Sequence, residues 1–139
     1  MKLLDSDTLT LLFAGHQRIA ERQQQEAEEV AVPIICQIEL LPGRFAMLLK
    51  AADGSQLRRA QKWLDQTVHD LAAIPKTIPI NDAAADQFDR LRGMKRLRKI
   101  GRRDLLIACI ALANRATLVT RNAKDFRQVP GLSLEDWAD

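Results

Sequence analysis

Short runs of aliphatic and β-branched residues alternate along this chain with segments of helical length. Val30-Ala31-Val32-Pro33-Ile34-Ile35 is apolar without interruption, as strands buried on both faces are. Residues 2–4, 78–80 and 116–120 read as further short strands, and 132–134 as a last edge strand. Between them, apolar residues recur at helical spacing. Residues 56–73 place Leu57, Ala60, Trp63, Leu64 and Val68 on one face. Residues 104–114 are apolar nearly all round, the pattern of a buried helix. Strands alternating with helices build a parallel sheet covered on both faces. At 139 residues the chain is expected to be one domain with a sizeable core.

The remaining segments follow from their punctuation. A helix opens at Asp7-Thr8-Leu9, where Asp7 or Thr8 can cap it, and Leu9, Leu12 and Phe13 form its apolar face before Gly15 ends it. Residues 16–29 read as a polar helix, and 39–52 as a helix broken or kinked near Pro42-Gly43. The Asp53-Gly54-Ser55 turn joins that helix to 56–73 as a hairpin. Asn81 or Asp82 caps a helix over 83–91. Residues 90–103 are dense in Lys and Arg, contain two glycines and read as a loop.

Four acids fall where these segments join: Asp5, Glu39, Asp104 and Asp125. Each alone has an ordinary explanation. Asp5 can start a turn, Asp104 can cap a helix, Glu39 can sit in a helix first turn, and Asp125 can be a surface loop residue. Together they fall at one expected rim, where the carboxyl ends of parallel strands converge and ligands bind. Carboxylates gathered there repel one another unless a hard cation neutralises them, and Mg²⁺ and Mn²⁺ take such oxygen ligands. That pattern points to a metal-dependent enzyme that cuts a phosphodiester.

Composition narrows the alternatives. The net charge of +3 permits a polyanionic partner, while an aromatic content of 4% with no Tyr leaves few platforms for stacking bases. Arg90, Arg92, Lys95, Arg96, Arg98, Lys99, Arg102 and Arg103 run directly into Asp104. Such a run is either a solvated face or a grip on an RNA backbone beside the acids. His16 and His69 lie on expected surface helices, away from the acids, which disfavours a metal-free histidine mechanism. No phosphate-binding glycine motif is present. Cys36 and Cys109 lack CxxC spacing and read as reduced core thiols. Asp5 and Asp7 interrupt the apolar N-terminal run, so no targeting signal is expected, and no stretch nears the roughly 20 apolar residues of a membrane span. A cytoplasmic protein is the expectation.

Several stretches together resemble a known family. They are Leu3-Leu4-Asp5-Ser6-Asp7-Thr8-Leu9, Ile38-Glu39, residues 100–108 (Ile-Gly-Arg-Arg-Asp-Leu-Leu-Ile-Ala), and residues 116–126 from Ala-Thr-Leu-Val-Thr to Lys-Asp-Phe. Val129-Pro130-Gly131-Leu132 and Glu135-Asp136-Trp137 complete the set. They look like a PIN-domain ribonuclease, and more narrowly like the VapC toxins of bacterial type II toxin–antitoxin systems. The resemblance spans nearly the whole chain, is densest over 100–137, and is absent as a motif over 54–77.

The resemblance implies a three-layer α/β/α fold with a central parallel sheet and a helical hairpin insertion, in a single PIN domain over 1–139. It implies a Mg²⁺-dependent endoribonuclease, with Mn²⁺ a plausible substitute. Asp5, Glu39 and Asp104 match the family's principal metal-site acids. Asp125 is carried over as the fourth acid and Asn122 as its neutral polar neighbour, since many PIN domains place an Asp where this chain has Asn122. Ser6, Asp7 and Thr120 resemble supporting positions, and Asp7 serves equally as a helix cap. Arg96, Lys99, Arg102 and Arg103 are the candidate RNA contacts. The implied partners are a VapB-like antitoxin, RNA and a second copy of the chain. Leu9, Leu12, Phe13 and the hairpin around Trp63 are candidate docking surfaces, with core packing as the alternative. A PIN nuclease of RNA maturation without an antitoxin, and an inactive RNA-binding PIN module, are the competing functions.

Overall fold

The computed structural model describes residues 1–74 and 76–139. Its strands are β1 (Lys2–Leu4), β2 (Val30–Pro33), β3 (Thr77–Ile78), β4 (Thr117–Val119) and β5 (Ser133–Glu135). They form one sheet in the order β3-β2-β1-β4-β5, and every pairing is parallel. Leu3 lies in register with Ala31 on one side and Leu118 on the other. The described helices are α1 (Ser6–Phe13), α2 (Gln17–Gln25), α3 (Ile34–Lys50), α4 (Gly54–Ala72), α5 (Asp82–Leu91), α6 (Arg102–Ala113) and α7 (Ala123–Phe126). With the sheet they make the expected three layers.

Two element boundaries differ from the sequence reading, and both concern the acids. The run 30–35 is not all strand: β2 stops at Pro33 and Ile34 begins α3. Pro33 itself caps that helix in an extended conformation (φ −60°, ψ 142°) and offers no side-chain hydrogen bond. Strand propensity in Ile34 and Ile35 is overridden by their packing in the first turn of a helix. Glu39 therefore stands in the second turn of α3, not at a strand end. The same helix continues through Pro42 to Lys50. At the other boundary, α1 starts at Ser6 and its cap is Asp5, whose Oδ1 accepts from the Thr8 amide at 2.9 Å. Asp7 is thus an exposed first-turn residue and not the cap.

The remaining departures are smaller. α2 ends at Gln25 because Glu26 is extended, so the polar helix is shorter than 16–29. β3 is only two residues, with Pro79 and Ile80 outside it. The basic segment is a loop after Leu91, pinned by a single 3-10 turn (Lys95–Leu97) whose Leu97 is buried. α6 begins at Arg102, two residues before Asp104, so Asp104 does not cap it.

The core lies on both sides of β1 and β4, where Leu3, Leu4, Leu118 and Val119 are fully enclosed with Ile107, Ile110, Phe126 and Trp137. Cys36 and Cys109 are buried and free. α4 packs through Ala60, Thr67 and Leu71, while Leu57, Trp63 and Val68 remain about half exposed. The apolar face read from the sequence is therefore split: Ala60 packs inward and Leu64 is half-buried, while Leu57, Trp63 and Val68 face outward.

One buried charge needs its partners. Lys2 lies in the central strand, and its ammonium pairs with Glu135 and Glu28. Lys2 in turn holds the Glu135 carboxyl below its ordinary range, helped by a 2.8 Å bond from Trp137 Nε1. A depressed carboxyl contributes stability above its ordinary value and loses it as pH falls through its folded value. Glu135→Gln is therefore expected to be less stable than wild type at neutral pH, with the gap closing in acid. Urea unfolding at a series of pH values measures it, and a pH-independent gap contradicts the pairing.

Candidate metal centre

The chain leaves β1 toward β2 on one side and later returns to place β4 on the other. The carboxyl ends of β1 and β4 thus flank the switch point of the sheet, where open parallel sheets leave a crevice. Asp5 follows β1 directly and Thr120 follows β4. The Asp5 amide donates to the Val119 carbonyl at 3.1 Å, and the Thr120 amide to the Glu135 carbonyl at 2.9 Å. These bonds extend the sheet ladder into the residues of the site and fix their backbone.

Side chains then converge from four elements. Asp5 is 5% exposed. Burial pushes its carboxyl above the ordinary value, against the opposing hydrogen bonds from the Thr120 hydroxyl and the Thr8 amide. Ser6 Oγ donates to Glu39 Oε2 at 2.9 Å, which draws the second turn of α3 toward the rim. Asp104 projects from the first turn of α6. Its carboxyl is also raised, first by burial and then by the charges of Asp5, Asp125, Glu39 and Asp7. Asn122 Nδ2 donates to Asp125 Oδ2 at 3.0 Å and to Asp104 Oδ2 at 3.5 Å. The Asn122 amide donates to Thr120 Oγ1 at 2.9 Å.

The donor set suits a hard divalent cation. It offers carboxylate oxygens and hydroxyls, with no free thiolate, since burial pushes the adjacent Cys36 thiol up to about 12. Glu39 Oε1 is enclosed and has no hydrogen-bond partner, and a buried polar atom left in that state is costly. The carboxylates adjoin one another without closing on a point. Among the described residues, no three His, Cys, Asp or Glu side chains are spaced to grip one ion.

The candidate RNA contacts precede Asp104 along the chain. Arg102 and Arg103 share the first turn of α6 with Asp104, and Arg96 and Lys99 precede it on the loop. All four are exposed, and none has an ion-pair partner among the described residues. The Arg102 guanidinium lies over the Phe88 ring, 5.1 Å from its centre. His16 instead caps α2 and His69 is exposed near the end of α4.

Two residues of the centre were not singled out from the sequence. Thr8 fastens Asp5 through its amide and bonds the Val119 carbonyl through its hydroxyl at 3.3 Å. Its place three residues after Asp5 is the spacing of a cap and its amide donor, a signal available once Asp5 is taken as the cap. Cys36 lies under Ser6 and the acids, and an isolated apolar cysteine carries no such signal.

Residues 2–132 match the family model described as "PIN domain". The chain belongs to the PIN domain family. It is 58% identical over 38 residues to Ribonuclease VapC2 of Rickettsia felis, a match covering 27% of this chain and 28% of that protein. It is 29% identical over 140 residues to Ribonuclease VapC1 of Haemophilus influenzae, covering 97% of this chain and 96% of the relative. Among solved structures it is similar to a chain of VapBC2 from Rickettsia felis bound to a DNA fragment from their promoter. That likeness has a TM-score of 0.72 at 26% identity and covers 98% of both chains.

Proposed function

We propose that this chain is a Mg²⁺-dependent endoribonuclease, the toxin of a toxin–antitoxin pair, acting in the cytoplasm. One observation carries the reading. Asp5, Glu39, Asp104 and Asp125 gather around the switch point, Asp5 buried and Asp104 half-buried at an electrostatic cost, and Glu39 with an orphaned oxygen. An inactive RNA-binding module has no physical use for that cost. Similarity over nearly the full length to proteins named ribonuclease VapC supports the same activity.

Asp5, Glu39, Asp104 and Asp125 would hold Mg²⁺, or Mn²⁺ in its place, which would supply an activated water and neutralise charge on the phosphate. Ser6 orients Glu39, while Thr8 and Thr120 orient Asp5. Asp7 adds negative charge at the mouth. Arg96, Lys99, Arg102 and Arg103 hold the RNA backbone against the repulsion of the acids.

Two exposed surfaces suit the two protein partners. A cleft of about 570 Å³ between α1, α3 and α4 is lined by Phe13, Leu40 and Trp63 and rimmed by Arg44, Arg59 and Lys62. The Arg44 guanidinium lies 4.6 Å from the centre of the Trp63 ring. An antitoxin segment with an apolar anchor and acidic flanks fits this cleft, as the resemblance to a VapBC assembly suggests. Leu9, expected beside it, is core. Ile38, Leu41, Phe45 and Leu49 form an exposed apolar ridge along α3. That ridge suits a second copy, because an isologous interface needs only self-complementarity.

Purified protein is expected to cleave RNA internally in Mg²⁺ or Mn²⁺, to stop in chelator, and to be suppressed by its co-expressed antitoxin. Cleavage that survives chelation overturns the metal-dependent reading.

A further inference from the structure

We infer that Asn122 is a positioning residue whose side-chain amide braces Asp104 against Asp125 and so sets how tightly the centre takes its cation. The inference rests on the metal-site reading above and adds a role for a neutral residue.

Three observations carry it. First, the amide nitrogen stands within hydrogen-bond reach of one oxygen of each carboxylate, closer to Asp125 at 3.0 Å than to Asp104 at 3.5 Å. Ionised carboxylates only accept, so the amide must turn its nitrogen toward them. Second, Asn122 occupies the N-cap position of α7, where Asn ordinarily turns its side-chain oxygen to the amides of its own helix. It makes no such bond here, and its side chain is given to the two acids instead. Third, the residue is itself fixed. Its backbone amide donates to Thr120 Oγ1 at 2.9 Å. Thr120 follows β4 directly, so the brace is anchored to the sheet beside the site.

The physical consequence lies in what an amide can and cannot do. It supplies two donors, which offset part of the repulsion between Asp104 and Asp125. It carries no charge, so both negative charges remain for a cation. An Asp at this position adds a third charge and removes the donors. An Ala removes the donors and lets the pair move apart.

The test titrates Mn²⁺ into metal-free wild type, Asn122→Ala and Asn122→Asp by calorimetry. Melting temperature is read in chelator and in saturating Mn²⁺. Asn122→Ala is expected to weaken Mn²⁺ binding about tenfold, the low end of the effect of residues that orient metal ligands. Asn122→Asp is expected to have the lowest melting temperature in chelator and the largest rise on adding Mn²⁺. A residue that merely fills the loop shifts melting equally in both conditions and leaves Mn²⁺ affinity within twofold, which overturns the inference. If Asn122→Asp does not fold in chelator, Asn122→Ala and Asn122→Ser decide by the same affinity comparison. Failure of wild type to bind Mn²⁺ overturns the metal-site reading and this inference together, and is thereby distinguished from failure of the brace alone.

Discussion

Asp5→Asn is expected to abolish RNA cleavage while the cation-free protein melts at the same temperature as wild type or higher. A cation's stabilisation of the phosphate transition state is several kcal/mol, or about a thousandfold in rate. Asn at position 5 still accepts the Thr8 amide, so the cap of α1 survives. What disappears is a buried negative charge. Asp104→Asn is expected to behave alike, with the greater gain in stability, because its carboxyl faces four other acids. The pH dependence has a definite sign. Both carboxyls are raised in the folded protein, so it binds protons that the unfolded chain releases. Their destabilisation is full at neutral pH and is relieved as pH falls through the folded values toward the ordinary one. Scanning calorimetry in chelator therefore finds the stability advantage of Asp104→Asn over wild type largest at neutral pH and shrinking as pH falls. A large loss of stability with cleavage retained makes these residues structural and removes them from the mechanism.

Replacing Arg96, Lys99 and Arg103 together by Ala is expected to weaken RNA binding across sequences and to flatten its salt dependence. Each cation withdrawn from a phosphate lowers the salt slope by about 0.7 for single strands, so the triple variant lowers it by about 2. Turnover at saturating RNA is retained, since the acids are untouched. Affinity against salt, measured with Ca²⁺ in place of Mg²⁺, reads the slope without cleavage. Arg92 is the internal control, since it pairs with Asp89 at 3.6 Å and its removal leaves the slope nearly unchanged. An unaltered slope in the triple variant means that RNA enters from another side.

Much of the architecture was legible because burial writes itself into local pattern. The apolar run at 30–35 and the all-round apolar 104–114 mark the middle of a covered sheet and its packed helix. Asp5 and Asp104 could be placed near the rim because each adjoins such a segment. Glu39 was harder. Where β2 gives way to α3 depends on Pro33, whose ring allows both states, and on tertiary packing of Ile34 and Ile35. Ser6 reaching Glu39, and Asn122 reaching two acids, are contacts that no local period encodes. Trp63 was left open between docking surface and core, because an apolar helical position does not say which surface covers it, and in the fold it stays about half exposed.

The strand order has a temporal meaning as well as a spatial one. β1, made first, has its second neighbour in β4, made late, and the crevice exists only once the two are side by side. Translation from the N-terminal side therefore leaves the crevice incomplete until β4 pairs with β1. Asp5 and Glu39 emerge early, but Asp104, Asn122 and Asp125 arrive only near the end.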